Sequence, residues 1–308
     1  KMKKGVRIVN AARGGIVDEA ALDDAITSGK VAGAALDVFA EEPPPKDHPL
    51  LGLPQVVVTP HLGAATSEAQ INVAIAIAEQ ITNFLVRGEV QAAVNMPSVS
   101  AEMLQLLRPH LALGEKLGSF LAQLSVDPPT EIAVEYAGTV ADLDIRPVTI
   151  AVLRGLLSRF IDDVNYVNAP ALAKERGIVV KEARANQPTN FVNSIKVRVT
   201  RSSGAQVVEG AVFGANILRL VRIDDFYMEA VPEGYVLMLN NRDVPGVVGR
   251  VGTMLGQHGI NIAGLELGRE KAGGMAISFV HVDEAVPESV LAELRGSPDI
   301  VSAQLLQL

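Results

Sequence analysis

The sequence predicts a mixed α/β chain: a short parallel-sheet segment, then a second α/β region, then a terminal βαββαβ module. Three observations carry this. The apolar runs VRIVNA (6–11), VAGAALDVF (31–39) and QVVVT (55–59) frame a helix-patterned stretch, the spacing of parallel βαβ units. Residues 131–230 alternate strand-like runs with helices. From residue 235 the order is strand, helix, two strands, helix, strand, which is the ferredoxin-like arrangement.

Each element follows from its local pattern. Residues 6–11 form a short, β-branched apolar run, consistent with a strand covered on both faces. In DEAALDDAITSGK, Asp18 is placed to cap, Leu22, Ala25 and Ile26 form a helical stripe, and Gly29 offers a stop. VAGAALDVF is the next strand, EEPPPKDHP a loop, and QVVVT a further buried strand. A helix over about 66–87 is expected to bury Ile71, Ala74, Ile75, Ala78, Ile81 and Leu85, spaced by three and four. Its length and its polar Asn72, Glu79, Gln80 and Asn83 argue against a membrane span. RGEVQAAVNMPSVS reads as a linker and residues 100–124 as an amphipathic helix ended by SVDPPT. EIAVEYAGTV, SIKVRVTRSSGAQVVEGAVF and FYMEAV read as strands, with helices near 147–161 and 170–176. In the last module VPGVVGRVGTMLGQHG and PESVLAELRG are the helices.

Composition narrows the chemistry. A net charge of −8 does not suit a nucleic-acid partner, which needs a basic face. With no cysteine, thiolate catalysis, disulfides and cysteine metal sites are excluded, and a reducing cytoplasm is permitted. No metal-ligand spacing is present, and the basic first residues lack the apolar core of a signal peptide.

Ligands of an open parallel sheet bind beyond the carboxyl ends of its strands. Arg13, Glu42 and His61 each follow one of the first three strands. Singly, each reads as turn or solvated loop; together they suit a 2-hydroxy acid. Arg13 would hold the carboxylate bidentately, His61 would take or return the hydroxyl proton, and Glu42 would orient the imidazole. Asp37 could receive the polar edge of a nicotinamide, and Gly63, lacking Cβ, lets backbone approach a flat ring. In the last module Asp243 and Pro245-Gly246 close a strand and open a helix whose first amides favour a carboxylate, and Asn261 is expected to face that loop. That corner suits a free amino acid; simple turn chemistry accounts for it equally well. Arg154, Arg159, Lys196, Arg198, Arg219 and Arg222 recur between, as an anion site for a phosphorylated effector or as ordinary surface residues.

VNAARGGIVDEAAL, AALDVFAEEPP and VVVTPHLGAATSEAQ closely resemble the second half of the cofactor domain of D-2-hydroxyacid dehydrogenases. The resemblance implies that Arg13 binds substrate, that His61 is the acid/base with Glu42 its partner, and that Ala11, Ala12, Arg13, Asp37, His61, Leu62, Gly63 and Ala64 line an NAD site. The order of the remainder is similar to the family's long, phosphoglycerate-oxidising branch. It implies the second half of a Rossmann-type domain at 1–62, a helix and linker returning to the substrate domain at 63–97, an intervening regulatory domain at 98–232 and an ACT domain at 233–308. It further implies NAD-dependent oxidation of 3-phosphoglycerate to 3-phosphohydroxypyruvate at the entry to serine synthesis. L-serine would be an effector touching Asn241, Asp243 and Asn261, and the assembly would be a cytoplasmic homodimer or tetramer.

One departure stands out: no G-x-G-x-x-G occurs, and the glycines at 246, 249 and 252 lie in the last module. With Lys1 in place of Met and a strand only five residues in, the expectation is a sequence beginning inside the cofactor domain, inactive alone as a dehydrogenase. The alternatives are an amino-acid-binding module without catalysis and a D-2-hydroxyacid dehydrogenase of other substrate.

Overall fold

A computed structural model of the chain describes residues 2–87, 93–95, 101–185, 191 and 193–308. They divide into two compact units, Lys1–Glu89 and Val90–Leu308.

In the first unit β1 (Val6–Asn10), α1 (Glu19–Thr27), β2 (Val31–Leu36) and β3 (Val56–Val58) form a parallel sheet in the order β1-β2-β3. The Asp18 carboxylate caps α1 by accepting from the Ala21 amide at 3.0 Å. Leu22 and Ile26, one turn apart, bury against Val31, Ala34, Leu36, Phe39 and Leu50, and this is the core of the unit. Two expectations need correction. The outer strands are not covered on both faces, for Val9 is 75% and Val57 64% exposed; α1 shields one face, and no described helix shields the other. β2 also ends at Leu36 rather than 39, which releases Asp37–Phe39 into the loop that carries the site.

The helix α2 (Ser67–Arg87) forms where its pattern places it, but its apolar stripe is not buried: Ile71, Ile75, Ile81 and Leu85 are all more than half exposed. Periodicity identifies an apolar face and says nothing of what covers it. The argument from length also fails. Ser67–Val86, at mean hydropathy 1.2, is long and apolar enough to cross a membrane by length and composition. Most of the stretch read as a linker, with the boundary at 97/98, lies outside the described residues.

The second unit begins with α3 (Ala101–Gln123). There follow β4 (Glu131–Gly138), α4 (Arg146–Leu157), α5 (Ala169–Glu175), β5 (Val179–Arg184), β6 (Asn193–Arg201), β7 (Gly204–Phe213), β8 (Ile217–Ile223) and β9 (Phe226–Ala230). The six strands order as β5-β4-β6-β7-β8-β9, antiparallel except for β4 with β5. Helices α3 and α4 touch backbone to backbone: a Cβ on Gly155 would lie 2.0 Å from the Glu115 carbonyl oxygen. Strands β5 and β8 escape the sequence reading. The first is an exposed edge, and the second interrupts its apolar pattern with Arg219 and Arg222.

The remaining elements are β10 (Tyr235–Arg242), α6 (Val247–Gln257), β11 (Ile262–Arg269), β12 (Met275–Val282), α7 (Glu288–Arg295) and β13 (Ile300–Gln307). They give the expected βαββαβ order, in an antiparallel sheet β11-β12-β10-β13. Its inner helices bury Val251, Leu255, Val290 and Leu294 against Leu237 and Val280. A second apolar cluster runs without a break from Leu117 and Phe120 of α3 to Phe279 and Leu306, so both sheets of the unit share one core. The Gln123 amide adds two bonds to the Gln307 backbone, at 2.9 and 3.0 Å.

Candidate active site

The loops after β1, β2 and β3 meet at the carboxyl end of the three-stranded sheet, because parallel strands all finish on one edge. β2 lies in the middle, so its loop touches both neighbours. The Asp37 amide donates to the Asn10 carbonyl at 2.9 Å, and the Thr59 amide donates to the Leu36 carbonyl at 3.0 Å.

His61 Nδ1 lies 2.7 Å from Glu42 Oε2, while Glu42 Oε1 accepts from the Phe39 amide at 3.0 Å. The hydrogen bond from His61, followed by that from Phe39, holds the Glu42 carboxyl below its ordinary range. An ionised carboxylate only accepts, so the imidazole must donate through Nδ1. The neutral ring then carries its free lone pair on Nε2.

The backbone at His61 is left-handed, with φ 55°, a conformation rare in residues other than glycine. Its cause is Asp37. Oδ1 accepts from the Thr59 hydroxyl at 2.5 Å and the Leu62 amide at 2.7 Å, and Oδ2 accepts from the Gly63 amide at 3.0 Å. These bonds, that from Thr59 foremost, lower the Asp37 carboxyl and fold the turn so that the ring meets Glu42. Three of the four lone-pair positions of the carboxylate are thus occupied, leaving one for a donor such as a carboxamide N–H. Beside it lies a cavity of about 480 Å³ floored by Phe39, Pro43, Leu51, Val58 and Pro60.

The structure does not bring Arg13 to this pair. Its exposed guanidinium donates to the carbonyl of Ala12 at 2.7 Å. Its loop is shaped by Asn10, 6% exposed, which accepts from the Ala12 amide at 3.2 Å and donates to the Arg13 carbonyl at 3.1 Å. Ala11 and Ala12 lie on this exposed loop and Leu62 and Ala64 on the His61 turn. A Cβ on Gly63 would sit 3.4 Å from Asp37 Oδ2 and 4.0 Å from the Ala11 carbonyl oxygen, so the bare glycine leaves a cradle between the two loops. Bare backbone at Gly63 next to the free acceptor position of Asp37 suits the carboxamide-bearing edge of a flat ring. On this ground the residues present fit a nicotinamide.

Sequence reasoning missed Thr59, Asn10 and a second histidine–glutamate pair. Glu19 Oε1 accepts from the Ala40 amide at 2.7 Å, and Oε2 lies 3.1 Å from His48 Nε2. The His48 ring also meets Phe39 edge-on at 5.4 Å. Together they clamp the loop that carries Glu42. Asn10 ending an apolar strand, and Thr59 before a proline, were the available signals.

In the terminal module the expected corner comes apart. Asp243 Oδ2 accepts from the Gly273 amide at 3.1 Å and from Arg269 at 3.3 Å. Asn241 is 4% exposed, donating to the Arg242 carbonyl and accepting from the Ser278 hydroxyl, both at 2.9 Å, so its side chain is turned into the sheet's own bonding. Asn261 bonds Asp283 at 2.7 Å. It precedes β11 at the end where Ile262 and Tyr235 both pair with Val282, whereas Asp243 lies at the end where Arg242 pairs with Met275. Helix α6 runs the length of the sheet between them, so Asn261 does not face the Asp243 loop of its own chain. Nor do the six basic residues gather. Arg154 pairs with Glu115 at 2.6 Å, Arg159 and Arg198 are exposed, and Arg219 reaches Glu229 at 4.0 Å. Of the six, Lys196 and Arg222 line one cavity together.

Three family models match this chain. Residues 1–63 match the NAD-binding domain of D-isomer specific 2-hydroxyacid dehydrogenases, residues 106–224 the D-3-phosphoglycerate dehydrogenase intervening domain, and residues 235–299 the ACT domain. In its first 63 residues the chain is thus similar to D-isomer specific 2-hydroxyacid dehydrogenases. Among its relatives, D-3-phosphoglycerate dehydrogenase of Bacillus subtilis is 40% identical over 309 residues, covering 100% of this chain and 59% of that protein. The enzyme of the same name from Archaeoglobus fulgidus is 40% identical over 311 residues, with 100% and 59% covered. A glyoxylate reductase structure from Paecilomyes thermophila is 40% identical, covers 30% of this chain and 28% of that one, and superposes with a TM-score of 0.28. The chain thus spans 59% of the length of the first two relatives.

Proposed function

We propose that this chain carries the acid/base and regulatory parts of an NAD-dependent oxidation of 3-phosphoglycerate to 3-phosphohydroxypyruvate. The observation that supports it most is the 2.7 Å His61–Glu42 pair at the end of a parallel sheet. With Nδ1–H directed to Glu42, Nε2 accepts the proton of the substrate hydroxyl, and Glu42 holds the ring as it becomes charged. Arg13, swung from its own loop, holds the substrate carboxylate. NAD supplies the hydride acceptor, and Ala11, Ala12, Gly63, Ala64 and Asp37 hold its nicotinamide end.

The test is NADH formation from 3-phosphoglycerate by the complete enzyme that contains this segment. His61→Gln should lower kcat about 10²–10⁴-fold with little change in KM, and Glu42→Gln should lower it less. An unchanged kcat in His61→Gln would refute the assignment. The 308 residues alone should form no NADH, since no Gly-rich pyrophosphate turn is among them.

For the ACT domain we propose L-serine, held between two copies with Asp243 from one and Asn261 from the other. The separation of these residues in one chain supports the paired arrangement. Titration calorimetry of the full chain should show serine heat that Asn261→Ala abolishes. A homodimeric or tetrameric assembly in the cytoplasm completes the proposal.

A further inference from the structure

Across the face of the six-stranded sheet that no described helix covers, five residues of five strands fall into one row. Glu135 of β4 is opposite Lys196 of β6, Lys196 opposite Glu209 of β7, Glu209 opposite Arg222 of β8, and Arg222 opposite Tyr227 of β9. Four charges alternate in sign along the row and end on an aromatic ring. Glu209, though, has no partner. The Lys196 ammonium turns outward to Glu135 at 2.8 Å. The Arg222 guanidinium turns the other way, donating through Nε to the Asp224 carbonyl at 2.5 Å and lying 5.4 Å above the Tyr227 ring. Between them Glu209 is only 8% exposed, and among the described residues it makes neither hydrogen bond nor ion pair. Ser194, 2% exposed, likewise has no partner for its hydroxyl. Both line a cavity of about 210 Å³ with Lys196, Arg222, Glu135 and Tyr227. Burying a carboxylate that makes no hydrogen bond or ion pair is costly, and buried polar groups are ordinarily bonded.

The backbone is built around this row. Opposite Glu209 and Gly210 stand Arg222 and Leu220, so Val221 is an extra residue, a β-bulge in β8. Leu218, Leu220 and Gly210 face the helices, where Leu113 and Leu117 fill the space a Cβ on Gly210 would need. By strict alternation Arg222 would follow Leu220 into that core. The bulge reverses it onto the open face beside Glu209, as bulges do when they re-aim a side chain.

We infer that this cavity is a binding site for a free α-amino acid. Its ammonium group is the counter-charge of Glu209 and bonds the Ser194 hydroxyl. Its carboxylate takes the donors that Arg222 and Lys196 retain, since guanidinium has five N–H groups and ammonium three. A purely anionic ligand would set its charge against the unpaired Glu209, and a simple amine would leave the two cations idle. The inference is independent of the dehydrogenase reading and of the ACT corner.

The test uses the full chain carrying Asp243→Asn, which removes the ACT corner from the measurement. Titration calorimetry with each of the free amino acids is compared with ethylammonium and with inorganic phosphate. At least one amino acid should bind, more tightly than either single-charge probe. Glu209→Gln should weaken it at least tenfold, and Glu209→Asp, which keeps the charge if Gln disturbs folding, by less. Nuclear Overhauser contacts between that amino acid and the Tyr227 ring should place it in the cavity without recourse to any variant. Absence of amino-acid binding overturns the inference. So does equal binding in Glu209→Gln, tighter binding of phosphate or ethylammonium, or contacts that exclude Tyr227.

Discussion

Gly14→Ala tests whether the His61–Glu42 pair is set by the packing of loop on loop. Gly14 follows β1, and a Cβ there would sit 1.9 Å from the Phe39 carbonyl oxygen, 2.4 Å from its carbon and 2.9 Å from the Ala40 nitrogen. All three atoms are backbone, so no side chain can rotate aside; the loops must part by about 1.5 Å to restore a 3.4 Å contact. The Phe39 amide holds Glu42 Oε1 at 3.0 Å and the Ala40 amide holds Glu19 Oε1 at 2.7 Å, and a shift of that size breaks both. Overpacking of this kind costs ~1–3 kcal/mol, and each lost bond adds ~0.5–1.5 kcal/mol. The expected destabilisation is about 2–6 kcal/mol, read by urea unfolding of the full chain. Gly15→Ala is the control. Its site has open space around it but φ 77°, so it should cost only the left-handed strain of ~1–2 kcal/mol and leave the Phe39 and Ala40 amide resonances in place. If Gly14→Ala unfolds within about 0.5 kcal/mol of the parent and those two resonances do not move, loop packing does not position Glu42.

Thr59→Val removes the strongest cause of the lowered Asp37 carboxyl, so its titration should move back up toward the ordinary 3.8 in carboxyl-detected NMR; an unmoved titration would refute the assignment. Glu42 is also held below its ordinary 4.5, so its contribution is complete above that pH and is lost as pH falls through the lowered folded value. The His61 turn should therefore loosen only below about pH 4.5, and in Glu42→Gln that acid-linked change should vanish from its amide spectra. Arg201→Met should destabilise the second unit by at least about 2 kcal/mol by denaturant unfolding. Arg201, 4% exposed, donates to the carbonyls of Leu121 and Asp127 and to Gln206, at 2.6, 3.0 and 2.6 Å, and its loss leaves them unpaired.

What the sequence determined by itself was the set of elements and the chemistry at the strand ends. Asp18 before an apolar stripe marked a helix start, and β-branched runs at βαβ spacing marked parallel strands. Parallel strands finish on one edge, so Glu42 and His61 had to come near one another. The pair is local to two adjacent loops, which is why it was legible. Tertiary structure decided the rest, wherever partners lie far apart in the chain or a backbone irregularity resets a face. Asp37, twenty-odd residues before His61, forces that residue into its left-handed turn. The length of α6 parts Asp243 from Asn261. The additional Val221 turns Arg222 out of the core to stand beside Glu209. Periodicity assigns each side chain a face on an ideal element, but only the assembled backbone fixes which faces are covered and which charges are left without a partner.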